Sequence, residues 1–305
     1  MAIPADQRFA PLPNRQEAAE RITTPPISFA ADAWRRFKAN PLALLGLITI
    51  VIFLIACFIG PLLTPWDPTT QFLAGRDQPP SAQHWFGTDA HGRDLFERTL
   101  YGGRISLAVA FFAGLLQLVV GVTYGATAGL LGGKWDNIMM RIVDIIDTIP
   151  LTIYVILLAV IMGQGLTSIF VAIGIVYWTS MARLVRAQVL ALKEQEFMLA
   201  ARALGAGRRR LVFRHLIPNA MAPIVVELTF SIPRAMFTEA FLSFIGLGVS
   251  APMASWGVLA SNGFEGLRSY PWELAFPAAA IIIVSLAFNF IGDGLRDALD
   301  PKLRR

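Results

Sequence analysis

The chain has 305 residues, of which 55% are hydrophobic and only 15% carry a charge. Soluble domains carry about 25% charged residues, so the composition excludes an ordinary soluble domain and indicates a membrane protein. The single cysteine, Cys57, excludes a disulfide framework and a cysteine-based zinc site. The net charge of +5 could suit nucleic acid, but its placement along the chain, described below, indicates membrane orientation instead.

Residues 1–40 precede the first long apolar run. The start of this segment is rich in proline and charge and cannot bury a core. Within 28–40 the pattern predicts a short amphipathic helix, with Trp34 and Phe37 on an apolar face and the basic residues mostly away from it. Such a helix suits an anionic membrane surface, so membrane lipid is an expected partner. We therefore predict a tail, 1–40, that carries a surface helix.

Runs of about 20 apolar residues predict membrane-spanning helices, because that length crosses the hydrocarbon core. We do not expect the first predicted span, 41–63, to be a cleaved signal peptide, since 40 residues precede it and no small-residue cleavage site follows it. A polar loop, 64–104, leads into a core membrane domain, 105–296. Asp144 and Asp147 fall in the first turns of the third predicted span, which leaves its start open between Ile142 and Ile149. The five spans predicted in the core domain, which bring the total to six, are 105–131, 142–162, 166–185, 221–249 and 274–291.

The distribution of lysine and arginine predicts the orientation. If the N terminus is cytoplasmic, 20 of these 26 residues fall in cytoplasmic segments and 5 in extracytoplasmic ones, while Arg234 lies within a span. Cytoplasmic loops carry the excess of positive charge in membrane proteins. The bias predicts a cytoplasmic N-terminal tail, an extracytoplasmic loop 64–104, a cytoplasmic loop 186–220 and a cytoplasmic C-terminal tail 297–305.

A basic stretch, 197–223, separates two of the predicted spans and contains five arginines and no acid. Good helix formers predict a short helix over 199–204, which Gly205 ends or kinks. A second short helix, 208–216, is predicted to end before Pro218, because a residue that precedes proline avoids the α region. Two interpretations stand at this point: a solvated basic loop that only fixes topology, or a surface that contacts a partner.

This stretch resembles the cytoplasmic EAA loop of ABC-importer permeases, whose pattern is Glu-Ala-Ala, three residues, Gly, nine residues, Ile-x-Leu-Pro. Leu199 stands at the position of the glutamate, and His215 and Ile217 replace the usual isoleucine and leucine. The resemblance implies a coupling helix that docks into a groove on a separate ATPase subunit, with a small-residue pair, Ala200–Ala201, letting the groove approach closely. The residues expected to form this coupling surface are Leu199, Ala200, Ala201, Arg202, Leu204, Gly205 and Pro218.

Three further stretches, 84–107, 237–257 and 288–304, are similar to the second permease subunit of dipeptide and oligopeptide importers. The resemblance implies an all-α, polytopic chain with the type I ABC-importer permease fold in a bacterial inner membrane. It also implies a heterodimer with a second homologous permease, two ATP-binding subunits and an extracytoplasmic peptide-binding protein. Similar subunits import nickel or glutathione, so these substrates remain alternatives to peptide.

No constellation of catalytic residues is present. His84 and His91 fall on the opposite side of the membrane from His215, so the three histidines cannot share a metal. A phosphate loop needs two glycines, a lysine and a hydroxyl at fixed spacing. The nearest match ends in Gly133-Lys134 and lacks both the first glycine and the hydroxyl. We therefore expect no enzymatic activity and no cofactor in this chain, with ATP and Mg²⁺ bound by the partner subunits.

Three charged residues, Glu227, Arg234 and Glu239, fall in the predicted fifth span. Intramembrane charges are costly and face a bundle interior or a water-filled path, so these residues are candidates for a translocation path. Arg234 and Glu239 could also form a buried pair, although five residues is a poor fit to one helix face. Both roles stand, and they are compatible. In the loop before the second span, Asp89, Arg93 and Asp94 favour a local salt-bridged turn over substrate contact.

Two other classes of membrane protein would have different sequence features. A self-sufficient channel or secondary carrier would transport alone and would show internal repeats with helices broken in mid-membrane. The sequence has no convincing repeat. A receptor or scaffold without transport would leave the charges of the fifth span unexplained.

Overall fold

The computed structural model describes residues 28–249 and 251–300, and helices make up most of this part of the chain. The prediction of an all-α fold is confirmed. The predicted tail before residue 28 and the C-terminal residues 301–305 lie outside the described residues. In chain order the helices are α1 (Phe29–Ala39), α2 (Pro41–Ile59), α3 (Leu95–Leu131), α4 (Gly133–Thr148), α5 (Leu151–Met162), α6 (Leu166–Leu192), α7 (Glu196–Ala203), α8 (Arg208–Asn219), α9 (Met221–Phe244), α10 (Trp256–Glu265) and α11 (Trp272–Leu299).

Within the described ranges, four helices are long and apolar enough to cross a membrane: α2 with its 3₁₀ extension to Leu62, α3, α6 and α11. The number rises to six if each of two bent pairs, α4 with α5 and α8 with α9, is one span. The six predicted spans correspond to these elements. The α1 helix is also present as predicted, and its Phe37 is buried next to Gly294 of α11.

The second span begins ten residues earlier than predicted. Asp94 caps α3 by accepting a hydrogen bond from the backbone N–H of Glu97 at 2.8 Å, and the helix then runs to Leu131 with one π-helical turn. The sequence predicts loop for these turns because they carry charged and polar residues, including Arg98. Arg98 is buried. Its charge is compensated by the carboxylate of Asp89, which lies 3.3 Å away.

The third span is not the single helix that was predicted. It breaks between α4 and α5, whose axes meet at 77°. Pro150 accounts for the break, because the residue before a proline is pushed out of the α region and proline has no N–H to donate. Ile149 accordingly has φ −88° and ψ 122°, an extended conformation.

The main apolar core lies where α2, α3, α9 and α11 pack together, with Trp256 of α10 fully buried among them. The Trp256 indole N–H donates to the carbonyl of Thr99 at 2.7 Å, which fixes α10 against α3. The α2 and α11 backbones approach closely at Gly46, where an added Cβ would lie 2.5 Å from the carbonyl oxygen of Ala287. The α9 helix packs against α3, α10 and α11 in this core and turns one face away from it.

The loop before α3 contains the predicted salt-bridged turn. Arg93 Nε lies 2.7 Å from Asp89 Oδ2, and Asp94 accepts from His84 Nδ1 at 2.8 Å. The turn is buried, and Arg98 reaches the same Asp89 carboxylate from the first turn of α3. A buried charge cluster of this kind holds the loop onto the end of the second span.

Candidate functional site

The short helix predicted over 199–204 is present as α7, Glu196–Ala203, and starts three residues before the predicted bound. Gly205 ends it as expected, at φ +80°. The N–H of Gly205 donates to the carbonyl of Arg202 at 2.9 Å, and the N–H of Ala206 donates to the carbonyl of Ala201 at 3.0 Å. These two bonds form a Schellman cap, in which the residue at the position of Gly205 has a left-handed conformation that favours glycine.

The two faces of α7 have different environments. Met198 and Ala201 are buried against the rest of the chain, whereas Leu199 is 54% and Leu204 88% exposed. Ala200 is also exposed. The predicted small-residue pair is therefore wrong as one docking surface, because neighbouring residues of a helix point about 100° apart. Ala201 belongs to the inner face and Ala200 to the outer one.

The inner face of α7 packs into a second apolar cluster, in which Met198 is fully buried. This cluster joins α7 to four other helices, α3, α6, α8 and α9. Its buried members from those helices are Val122, Ala126, Met181, Val185, Val189, Leu211, Val212, Leu216 and Ile224. A force applied to the outer face of α7 would therefore reach three spans through close-packed side chains.

The helix after the cap, α8, does not end before Pro218 as predicted but continues to Asn219. Leu211–Leu216 is π-helical, and Pro218 then stands in the first turn of a new α-helical segment, Ile217–Asn219. Proline is tolerated there because first-turn N–H groups have no partner within the helix. The chain bends by 67° at Ala220, where α9 begins.

The exposed surface of this region combines apolar and basic groups. Leu199 and Leu204 project from α7, and the exposed arginines of the adjoining segment are Arg208, Arg209, Arg210 and Arg214. Such a surface can bind a partner protein but carries no nucleophile or acid–base pair. In the part of the chain that the structure describes, no group of three or more His, Cys, Asp or Glu residues could hold a metal ion.

The charges of the fifth span separate into two sites. Arg234 forms an ion pair with Glu227, and its side chain is 55% exposed. Glu239 is buried on another side of the helix. Of the two roles left open for Arg234 and Glu239, the one in which they pair with each other is therefore wrong. Seven residues complete about two helical turns and bring two side chains to one face, whereas five residues place them about 140° apart.

Glu239 accepts hydrogen bonds from two serine hydroxyls, Ser106 at 3.1 Å and Ser243 at 2.8 Å. The Ser106 hydroxyl also accepts from the backbone N–H of Trp256 at 3.1 Å. This network joins α3, α9 and α10 in the interior. Ser243, four residues from Glu239, could have been found from helical spacing, but Ser106 lies 133 residues away and has no sequence signal.

Two ion-pair sites that sequence reasoning missed hold the bent third span to α6. Arg186 donates to both carboxylate oxygens of Asp136, at 2.5 and 2.6 Å. Arg183 pairs with Asp147 and lies 3.2 Å from Asp144. Asp144 and Asp147, near the predicted start of the third span, were the available signal, and both pair with one arginine of α6, Arg183.

Comparison with known proteins finds two matching families. Residues 121–305 match the binding-protein-dependent transport system inner membrane component family, and residues 28–80 match the N-terminal TM domain of oligopeptide transport permease C. The chain is 49% identical to the oligopeptide transport system permease protein OppC of Bacillus subtilis, over 97% of each chain. It is 47% identical to the dipeptide transport system permease protein DppC of Bacillus subtilis, over 98% of this chain and 94% of the relative.

The fold is similar to that of a solved ABC transporter. An inward-facing structure of the MetNI methionine ABC transporter aligns with a TM-score of 0.56 at 22% identity, over 67% of this chain and 96% of the matched chain. At this level of identity the similarity shows the fold alone, which is that of a type I ABC-importer permease. The helices, the fold and the sequence matches together show that this chain belongs to the binding-protein-dependent transport system inner membrane components.

Proposed function

We propose that this chain is one of two permease subunits of an ATP-driven importer of dipeptides or oligopeptides. The two Bacillus subtilis relatives are named for these substrates and align over nearly the whole chain. The observation that carries the proposal is the two-faced α7 helix, with Met198 packed among the spans and Leu204 projecting outward. A surface helix built in this way can take up a partner's movement and pass it to the membrane helices.

The coupling step follows from this arrangement. ATP and Mg²⁺ would bind to two separate ATPase subunits, each of which holds a permease by its coupling helix. When the ATPases approach each other, α7 would move with them. Met198 and Ala201 would transmit that movement to α3, α6 and α9, since close-packed side chains resist compression. The Schellman cap at Gly205 keeps α7 short and lets the chain reverse into α8.

The proposed orientation places α7, the arginines of α8 and both termini in the cytoplasm. It rests on the excess of lysine and arginine in those segments. The loop with the Asp89–Arg93 turn would then face outward, where a peptide-binding protein delivers substrate. A second permease of the same family would complete the translocation path.

The test is transport by a purified complex. The tagged chain would be isolated from its native host with its partners, which mass spectrometry identifies, and the complex would be reconstituted into liposomes with ATP inside. We expect uptake of radiolabelled trialanine that requires ATP, the partner ATPases and the binding protein. Uptake of nickel or glutathione with no peptide uptake would instead support the alternative substrates.

A self-sufficient carrier is the second candidate, because the third span is bent by 77° as a broken carrier helix would be. Liposomes that contain this chain alone decide between the two. Ion-driven uptake of trialanine without ATPase subunits would support a carrier and reject the proposal above. We expect no uptake, since Asp144 and Asp147 near the bend are paired with Arg183.

A further inference from the structure

One face of α9 carries a continuous stripe of charged and aromatic side chains. Its members are spaced alternately by three and four residues, which places them on a single helix face. We call this set the α9 stripe, and it consists of Glu227, Phe230, Arg234, Phe237, Phe241 and Phe244.

Four of the six members of the α9 stripe are exposed, and Glu227 and Phe230 are partly buried. From residue 222 to residue 244 the exposed side chains are Arg234, Phe237, Phe241 and Phe244, while the other residues are buried or partly buried. The opposite side packs into the core and carries Glu239 with its two serines. The stripe therefore faces something outside this chain.

Lipid is a poor partner for this face. The first span, α2, exposes aliphatic side chains such as Ile48, Ile52 and Ile55 and no charge along its length, as a lipid-facing helix should. The α9 stripe instead has an arginine near the middle of its helix. A charged side chain at that depth is costly in hydrocarbon and is normally found facing water or protein.

One end of the stripe, which carries Glu227, borders a cavity. Glu227 and Phe230 line a space of about 360 Å³ together with Arg296 of α11. Glu227 is paired with Arg234, and Arg296 lies over the Phe230 ring at 5.0 Å. The helical rise puts the Cα atoms of Glu227 and Arg234 about 10 Å apart. An extended tripeptide spans about the same length.

We propose that the α9 stripe is a contact surface for peptide substrates that recognises their free ends. Arg234 would bind the C-terminal carboxylate and Glu227 the N-terminal ammonium, so that a zwitterionic peptide replaces the internal ion pair and leaves neither charge unpaired. The phenyl rings of Phe237 and Phe241 would contact side chains of any type, because dispersion and burial do not select direction. This inference rests on the proposed function. It names the part of the substrate that α9 recognises, which is the pair of charged peptide ends.

Photocrosslinking tests whether peptide touches the stripe. The photoreactive residue p-benzoylphenylalanine would replace Phe241 in the complete reconstituted complex, and the matched control would carry it at Ile52, which is 58% exposed on α2. We expect radiolabelled trialanine to become attached to the Phe241 variant during ATP-driven turnover and not to the Ile52 variant. Attachment only to lipid or to the second permease would overturn the proposal.

A comparison of peptide ends tests the charges. Uptake of trialanine, trialanine amide and N-acetyl-trialanine would be measured with wild type, Arg234→Gln and Glu227→Gln complexes. We expect Arg234→Gln to lower the ratio of free-acid to amide uptake about tenfold and Glu227→Gln to lower the ratio of free-amine to acetylated uptake about tenfold, as for loss of a charge-assisted hydrogen bond. The binding protein is the same throughout, so its own preference cancels in these comparisons.

The control variants are Arg234→Lys, which keeps the charge, and Phe237→Leu, which keeps an apolar contact; both should preserve the wild-type ratios. Equal losses for all three peptides in Arg234→Gln would show that the arginine only supports structure and would overturn the inference. The proposed function would still stand after that result, because the wild-type complex would import peptide. Failure of the wild-type complex to import any of the three peptides would reject both.

Discussion

Arg186 donates hydrogen bonds from Nε and Nη2 to the two carboxylate oxygens of Asp136, at 2.5 and 2.6 Å, and this fork joins the bent third span to α6. Asp136 is buried, with an exposed fraction of 5%. The geometry is the bidentate one in which arginine binds a carboxylate most strongly. The third span breaks near Pro150, so its first half depends on contacts of this kind for its position.

Asp136→Ala is expected to destabilise the protein by about 2 kcal/mol, because Arg186 would lose a charged hydrogen-bonded partner. Arg186→Lys should give part of this loss, since lysine keeps the charge without the fork. The measurement is the thermal unfolding midpoint in detergent. The control is Asp293→Ala, whose partner Arg296 is 3.5 Å away with both side chains 60% exposed, and which should cost less than about 1 kcal/mol. Equal shifts for both alanine variants would contradict the prediction.

Double-mutant cycles separate the charges of the fifth span. Arg234→Leu and Glu227→Leu should each reduce peptide uptake by the assembled complex, because each single change leaves a charge unpaired. The fold loss in the double variant should be smaller than the product of the two single fold losses. The cycle of Arg234 with Glu239 should be additive, since these residues lie on different sides of α9. Coupling of Arg234 to Glu239, without coupling to Glu227, would refute the pairing found here.

The Ser106 hydroxyl is predicted to stabilise the interior by serving two groups at once. Ser106→Ala would remove a donor from Glu239 and an acceptor from the Trp256 backbone N–H. Leaving buried polar groups without partners costs about 1–3 kcal/mol each, so unfolding should occur at a clearly lower temperature. Ser180→Ala is the control, because the Ser180 hydroxyl is exposed and makes one long contact of 3.5 Å. If the two variants melt alike, the network has no structural role.

Much of the fold was predictable, because helices that are buried or span a membrane appear in the sequence as long apolar runs. The end of α7 was predictable for a related reason: Gly205 is the residue that its left-handed cap requires. The start of α3 was not, because the charges of its first turns are neutralised by partners in a folded loop, as Arg98 is by Asp89. Periodicity cannot show that a charged turn is buried.

The candidate site was predictable in position and less so in geometry. Spacing in the sequence located α7 but could not show that Ala201 faces inward, since that depends on how the helix is rotated against Met198 and the spans. The same limit applies to Arg234, whose partner depends on the face of α9 that meets the core. The passage of α8 through Pro218 depends on a π-helical segment that has no pattern in this sequence.

Cysteine labelling tests the orientation. In a Cys57→Ala background, a cysteine at Ala203, exposed on α7, should react in intact cells only with reagents that cross the membrane. A cysteine at Ala82, exposed in the loop before α3, should react with impermeant reagents as well. Labelling of the Ala203 variant by an impermeant reagent would invert the proposed topology and remove α7 from the ATPase side.

The most direct test of coupling compares two glycines at the end of α7. Gly205 has φ +80°, while Gly207 has φ −68° and ψ 160°, a conformation open to any residue. No atom lies within 4 Å of a Cβ added at either position, so the two sites differ in backbone strain and not in space. A β-branched residue is strongly disfavoured only at Gly205.

The measurement is trialanine imported per ATP hydrolysed by reconstituted complexes, with subunit assembly checked by co-purification. We expect Gly207→Val to behave as wild type. Gly205→Val should assemble and hydrolyse ATP but lose most of its uptake, because the altered cap displaces Leu204 and the outer face of α7 from the ATPase. Gly205→Val complexes that import peptide at the wild-type rate and stoichiometry would show that this segment only sets topology, which would contradict the coupling role proposed for α7.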